Sequence, residues 1–248
     1  MKADNFFRQN AGAFDAAIID LDGTLVDTMG DFVVALNLML AELAQRASGD
    51  PLSRTLDAAT VSRLVGKGSE HLVRSVLKLL QTHITQAPSA IDYVAAYELA
   101  YVSYQRHYAS INGQHATVYP GVVEGLRNLQ RAGLKLACLT NKPLGFADTL
   151  LKRKELRGFF SGVFGGDSFE RKKPDPLPLL KTCEFLGSQP SRTLMIGDSS
   201  NDARAARAAG CPVLLVTYGY NHGAPVRAVD ADGFMDTLAQ LDLQPQRN

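Results

Sequence analysis

Cysteine, long apolar runs and an excess of charge of either sign are what this chain has least of, and each shortage removes a class of function. Only three of 248 residues are cysteine, Cys138, Cys183 and Cys211. They are odd in number, far apart and set among apolar residues, which argues against a disulfide framework or a CxxC metal site and leaves reduced thiols in a core. No apolar run approaches the roughly 18 residues of a spanning helix, and Met1 to Arg8 lack the apolar stretch of a signal peptide. No membrane partner and a cytoplasmic location are therefore expected. With 26 basic and 25 acidic residues the formal net charge is +1, so nothing points to nucleic acid or an anionic surface. Any anion site must be local. The five histidines, His71, His83, His107, His115 and His222, show no metal-ligand spacing and read as structural or exposed, so no zinc site is expected.

What is present is an alternation of short apolar runs with helical patterns. Ala16 to Ile19, Leu134 to Leu139, Thr193 to Ile196 and Pro212 to Thr217 read as buried parallel strands, with Val163-Phe164 as a shorter one. Between them, Val122, Val123, Leu126 and Leu129 stop at Gly133; Leu144, Ala147, Leu150 and Leu151 follow; Leu179, Leu180, Cys183 and Leu186 stop at Gly187; an Ala-rich stretch stops at Gly210. Strand and helix in turn predict an open α/β sheet.

The interval from Met29 to Asn112 breaks the alternation. Phe32, Leu36, Met39, Leu40 and Leu43 share one helical face; a polar loop follows around Gly49-Asp50-Pro51; Leu72, Val73, Val76, Leu77 and Leu80 form a second helix. A third runs through Ile91 to Tyr108, where Tyr93, Tyr97, Tyr101, Tyr104 and Tyr108 recur at helical spacing and read as a packing face. An all-helical insertion over residues 29–112 is expected, interrupting a core of residues 1–28 and 113–248, with hinges at Thr28-Met29-Gly30 and Asn112-Gly113.

Chemistry collects at the strand ends. Asp20-Leu21-Asp22-Gly23-Thr24 follows the first strand, and residues i and i+2 of an extended segment face the same side, so two carboxylates share one site while Gly23 turns the chain away. Such a pair suits metal-assisted phosphoryl chemistry, one acid attacking while the other handles the proton. Thr140-Asn141-Lys142 and Gly197-Asp198-Ser199-Ser200-Asn201-Asp202 end two further strands, where open sheets bind ligands. Lys172-Lys173-Pro174-Asp175-Pro176 adds a cation on a proline-stiffened segment. Lys173, next to the proline, is the chosen cation and Lys172 is read as solvated; Asp27 reads as a cap for the following helix.

This ordered set resembles the haloacid dehalogenase superfamily, phosphatase branch, over nearly the whole chain. Val118-Tyr119-Pro120-Gly121-Val122 and Thr217-Tyr218-Gly219-Tyr220-Asn221 are similar to the phosphoglycolate phosphatase subfamily within it. The resemblance implies a Rossmann-like three-layer core with a parallel sheet and a helical cap, and a phosphomonoesterase acting on 2-phosphoglycolate or another small phosphorylated metabolite. It implies Asp20 as nucleophile through an aspartyl-phosphate, Asp22 as acid and base, and Thr140, the Asn141 backbone and Lys173 on the phosphoryl oxygens. It also implies Mg²⁺ held by Asp20, the Asp22 carbonyl and Asp198, with Asp202 orienting that set. The cap would supply specificity, and Lys67, between Gly66 and Gly68, or Arg63 would meet the substrate carboxylate, unless Lys67 is only an exposed loop residue. Oligomeric state leaves no mark in the sequence.

Competing functions separate on single features. A dehalogenase has no alkoxide to protonate and so no need of Asp22, and a transport ATPase requires membrane helices. A mutase resembling β-phosphoglucomutase, a phosphatase for a sugar phosphate or nucleotide, and a non-catalytic binding module that kept the fold remain as alternatives.

Overall fold

The computed structural model describes residues 6, 10, 12–46, 55–81 and 90–241, without the side chains at 46, 81 and 90–94. Six parallel strands form the central sheet in the order β5-β4-β1-β6-β7-β8: β1 is Ala16–Ile19, β4 Lys135–Leu139, β5 Gly162–Phe164, β6 Thr193–Gly197, β7 Val213–Val216 and β8 Gly233–Met235. β1 is central, with Ile19 beside Cys138 on one neighbour and Ile196 on the other.

The alternation of side chains along the strands fills two cores. Ala17, Ile19, Leu136, Cys138, Leu194 and Ile196 pack with α5 (Val122–Arg131) and α6 (Leu144–Arg153) on one face. Ala16, Ile18, Ala137, Leu139, Met195 and Val213 pack with α7 (Leu177–Leu186) and α8 (Ser200–Ala209) on the other. The result is three layers, helices on both faces of a parallel sheet. All three cysteines are buried and free, Cys183 and Cys211 with their sulfurs 3.9 Å apart. β8 escaped the sequence reading because it has only three residues and follows a polar stretch, Asp230 to Asp232.

Between β1 and β4 the chain forms α1 (Met29–Arg46), α2 (Ala58–Ser62), α3 (Ser69–Gln81) and α4 (Ala90–Ile111). These helices own a separate core in which Phe32, Leu36, Met39, Leu40, Leu72, Val76, Tyr104 and Tyr108 are buried. α2 was not foreseen; it is a five-residue helix begun by Asp57, whose carboxylate accepts from the Thr60 N–H at 2.8 Å. The Gly49-Asp50-Pro51 loop, His83 and the Tyr93 side chain lie outside the described residues. Of the other tyrosines, Tyr104 and Tyr108 are fully buried and Tyr97 and Tyr101 pack against the same core.

The two crossings between helical layer and sheet are tied together. β2 (Val26–Asp27) pairs antiparallel with β3 (Thr117–Val118), and the buried Asp31 carboxylate accepts from the Gly113 N–H at 2.6 Å and the His115 N–H at 2.8 Å. Among the described residues no helix is long and apolar enough to cross a membrane.

Candidate active site

Asp20 stands one residue past β1, its N–H still bonded to the Ile196 carbonyl at 2.9 Å, so the central ladder of the sheet fixes its position. Gly23 then turns the chain at φ 85°, where a Cβ would sit 2.2 Å from Asp198 Oδ2. Only glycine lets this loop approach the one after β6 so closely. The loop after β4 carries Thr140, Asn141 and Lys142, all buried.

Lys173 reaches in from the segment before α7. Its ammonium lies 2.6 Å from Asp202 Oδ1, 2.8 Å from the Leu139 carbonyl and 2.9 Å from Asp20 Oδ1. The Asn141 side chain clamps its backbone, accepting from the Lys173 N–H at 3.0 Å and donating to the Lys173 carbonyl at 2.8 Å. Burial works against the charged amine, but Asp20 and Asp202 outweigh it and raise its pKa. Asp202 is spoken for on both oxygens, since Oδ2 accepts from the Ser199 N–H and hydroxyl in the capping box that begins α8.

Asp20, Asp198 and Asp202 are all buried, and each offers an oxygen within 4.8 Å of the others. Burial, then the charges of Asp202 and Asp22, push Asp20 up to about 7 against the pull of Lys173. Burial, Asp202 and Asp20 likewise hold Asp198 well above the usual carboxylate range. Asp20 Oδ1 forms only the ion pair with Lys173 and no hydrogen bond. Crowded carboxylates with an unsatisfied buried oxygen are a hard, anionic donor set that fits a divalent cation such as Mg²⁺.

The Asp22 carboxylate points elsewhere. Its Oδ1 accepts from the Thr28 hydroxyl at 2.8 Å and from Lys142 Nζ at 2.9 Å, and Oδ2 lies 3.2 Å from the same ammonium. It is therefore outside the acidic cluster and faces the helical layer.

The loop from Val65 to Ser69 covers the cavity. The Gly66 carbonyl accepts from Asn141 Nδ2 and Asn201 Nδ2, both at 3.1 Å. His222 Nδ1 donates to the Val65 carbonyl at 2.7 Å while Nε2 accepts from Asn201 at 3.2 Å. Burial lowers the His222 pKa and favours this neutral tautomer. A partly open cavity remains beneath this loop.

Asp20, Asp22, Thr140, Asn141, Lys173, Asp198 and Asp202 all line this cavity, and Lys67 does not, although Gly66 and Gly68 do. Lys67 and Arg63 are exposed. Lys172 pairs with Glu70 at 3.3 Å across the gap between sheet and helices. Asp27 accepts from the Met29 N–H at 3.1 Å, as a cap would, and also from the Tyr220 hydroxyl at 2.8 Å. Sequence reasoning assigned no task to Lys142, Asn201, Tyr220 or His222, which also line the cavity. A lone histidine outside any spacing pattern carries no signal until the fold brings it to Val65.

A family model described as haloacid dehalogenase-like hydrolase matches residues 14–210. The chain is 42% identical over 228 residues to the phosphoglycolate phosphatase of Thiobacillus denitrificans, covering 92% of this chain and 94% of that one. It is 42% identical over 226 residues to the plasmid phosphoglycolate phosphatase of Cupriavidus necator, covering 91% and 90%. A crystal structure described as a predicted phosphoglycolate phosphatase from Haemophilus somnus superposes with a TM-score of 0.83 at 28% identity, covering 92% and 96%. A match over most of the length, with acidic, hydroxyl and lysine groups brought to the ends of adjacent parallel strands, means that this chain belongs to the haloacid dehalogenase-like hydrolases.

Proposed function

We propose that this chain hydrolyses a small phosphomonoester, 2-phosphoglycolate, through an aspartyl-phosphate on Asp20. The observation that carries the reading is the Asp20 carboxylate itself: buried at the end of the central strand, without a hydrogen bond on Oδ1, and facing the Lys173 ammonium. Asp20 attacks phosphorus as the ester P–O bond breaks, and Asp22 gives its proton to the departing alkoxide oxygen. Asp22 then takes a proton from the water that displaces Asp20 and releases phosphate. Thr140 and the Asn141 backbone hold the phosphoryl oxygens, while Lys173 offsets charge on Asp20 and on the transferring group. Asp20, Asp198 and the Asp22 carbonyl, with Asp202 orienting the set, would hold Mg²⁺, which would supply further charge neutralisation. Residues 29–112 act as a cap over a core of 1–28 and 113–248 and exclude water when docked.

The choice of substrate is supported by the relatives, which are named for phosphoglycolate. The test is kcat/KM with Mg²⁺ over 2-phosphoglycolate, hexose phosphates and nucleoside monophosphates, with Asp20→Asn as control. Phosphoglycolate should exceed the others by at least about tenfold, a margin worth about 1.4 kcal/mol, and Asp20→Asn should be inactive. A hexose phosphate or nucleotide as best substrate overturns the choice, an isomerised sugar phosphate as product identifies a mutase, and no turnover on any ester favours a binding module.

A further inference from the structure

Two ammonium groups line the cavity, and they are unequally occupied. Lys173 is engaged on three sides, by hydrogen bonds to Asp202 and the Leu139 carbonyl and by the ion pair with Asp20. Lys142, with a side chain only 3% exposed, meets one carboxylate, that of Asp22. Its other neighbours are the rings of Phe32 and Tyr108, each with its centroid 4.7 Å from Nζ. Aromatic faces attract a cation but take no hydrogen bond of ordinary strength from it. The ammonium is thus held in place with donor capacity to spare.

We propose that Lys142 is the specificity-determining residue that binds the carboxylate of the substrate. The inference rests on the proposed reading of the substrate as a small phosphorylated acid. The phosphoryl end is fixed by Asp20, Thr140 and Lys173, and in-line attack by Asp20 puts the departing oxygen on the far side of phosphorus, so the other end of the substrate lies against the cap side. That side is built from Phe32, Val65, Gly66, Gly68, Ser69 and Leu72, none of them charged. His222 is kept neutral, with both ring nitrogens engaged. Lys67 and Arg63 are exposed and do not line the cavity. Lys142 is then the one cation, among the described lining residues, with room for a second anion. It bridges the substrate carboxylate and Asp22, which also brings the proton-carrying carboxyl alongside the bound substrate. Lysine emerges from the sheet here but is gripped by cap aromatics, so recognition requires the cap to be docked.

The test compares 2-phosphoglycolate with 2-hydroxyethyl phosphate, which keeps the ester and the chain length but ends in a neutral hydroxyl. Wild-type, Lys142→Met and Lys142→Arg proteins are assayed as full chains with Mg²⁺, with thermal melts to confirm folding. Both Met-variant rates fall, because Asp22 loses a partner, but the preference for the acid over the alcohol should drop by about 10- to 100-fold, the range for a hydrogen bond to a charged group. Lys142→Arg should retain part of the preference, and competitive inhibition by glycolate should weaken in parallel with it. An unchanged preference in Lys142→Met, or a collapse produced by Lys67→Ala instead, overturns the assignment while leaving the substrate intact. If Lys142→Met does not fold, glycolate inhibition and acid preference in Lys142→Arg decide: values equal to wild type on both count against it. A wild-type enzyme that does not prefer the acid removes the substrate reading, and this proposal with it.

Discussion

The floor of the cavity and its roof are built on different principles. On the floor the groups are held by loops at the ends of β1, β4 and β6 and are tied to one another: Asn141 clamps Lys173, Lys173 joins Asp20 to Asp202, and Asp202 is locked by the start of α8. Around the cavity the roof meets that floor through the Val65 and Gly66 carbonyls, the Lys172–Glu70 pair and the rings around Lys142. On the proposed mechanism a floor so cross-linked would perform the same displacement on any ester, and discrimination would fall to Lys142 and the roof that docks around it.

Asp22 belongs to both, and removing its proton breaks the chemistry most. Asp22→Asn should lower the rate of the first displacement on alkyl phosphates by about 10²- to 10⁴-fold, the usual worth of a general acid–base group, and lower it much less on p-nitrophenyl phosphate, whose leaving group needs no proton and whose release is read as a burst before the slowed water step common to both esters. The loss should appear in kcat with the melting temperature little changed, since an amide oxygen still accepts from Thr28. Equal losses in the first displacement on both esters would deny Asp22 the role of acid to the leaving group.

Gly66→Ala sharpens the comparison from the other side. At φ 103° an added Cβ would also sit 2.6 Å from His222 Cε1, so the docked loop is penalised by about 1–3 kcal/mol of backbone strain. The expected outcome is a fall in kcat/KM for phosphoglycolate of about 5- to 100-fold, with burst or single-turnover chemistry on the floor preserved once substrate is bound. A variant indistinguishable from wild type would mean that the Val65 to Ser69 loop does not close the site.

The same division governs what could be read from sequence. Floor groups lie within contiguous strings that follow apolar runs, so Asp20-Leu21-Asp22-Gly23-Thr24 and Gly197-Asp198 announce both their strand and their chemistry. The helical insertion was equally visible, because α1, α3 and α4 keep an apolar face. β8 and the β2–β3 pair were not, being three and two residues long, too short to show a period. Roof contacts were harder still. His222 meets Val65 across 157 positions, and nothing in Gly66-Lys67-Gly68 announces that the Gly66 carbonyl accepts from Asn141 and Asn201. Lys142 shows no role within Thr140-Asn141-Lys142, because its cage of Phe32 and Tyr108 comes from two different cap helices.

The smallest effect concerns the floor alone and needs no turnover. In the metal-free protein the Asp20 carboxyl is pushed up to about 7, first by burial and then by Asp202 and Asp22, and Asp198 is raised as well. An acid whose pKa is higher folded than unfolded, where it is about 3.9, binds its proton more tightly in the native state. Its contribution to stability is greatest below about pH 4 and is lost as pH rises through the folded value near 7. A divalent cation substitutes for those protons, so Mg²⁺ should stabilise most where the carboxyls would otherwise ionise unpaired. At a Mg²⁺ concentration about 100 times its Kd the gain is about 2.7 kcal/mol, or about 5–10 °C in melting temperature for a chain of this size. That gain should appear at pH 8, shrink to about a degree or two at pH 5, where protons compete for the same oxygens, and be reduced in Asp198→Asn. Gly66→Ala, altered only in the roof, should show the wild-type gain at both values. A shift equal at pH 5 and pH 8 would mean that the cation binds somewhere other than these buried carboxylates, and a shift lost in Gly66→Ala would mean that floor and roof are not separable after all.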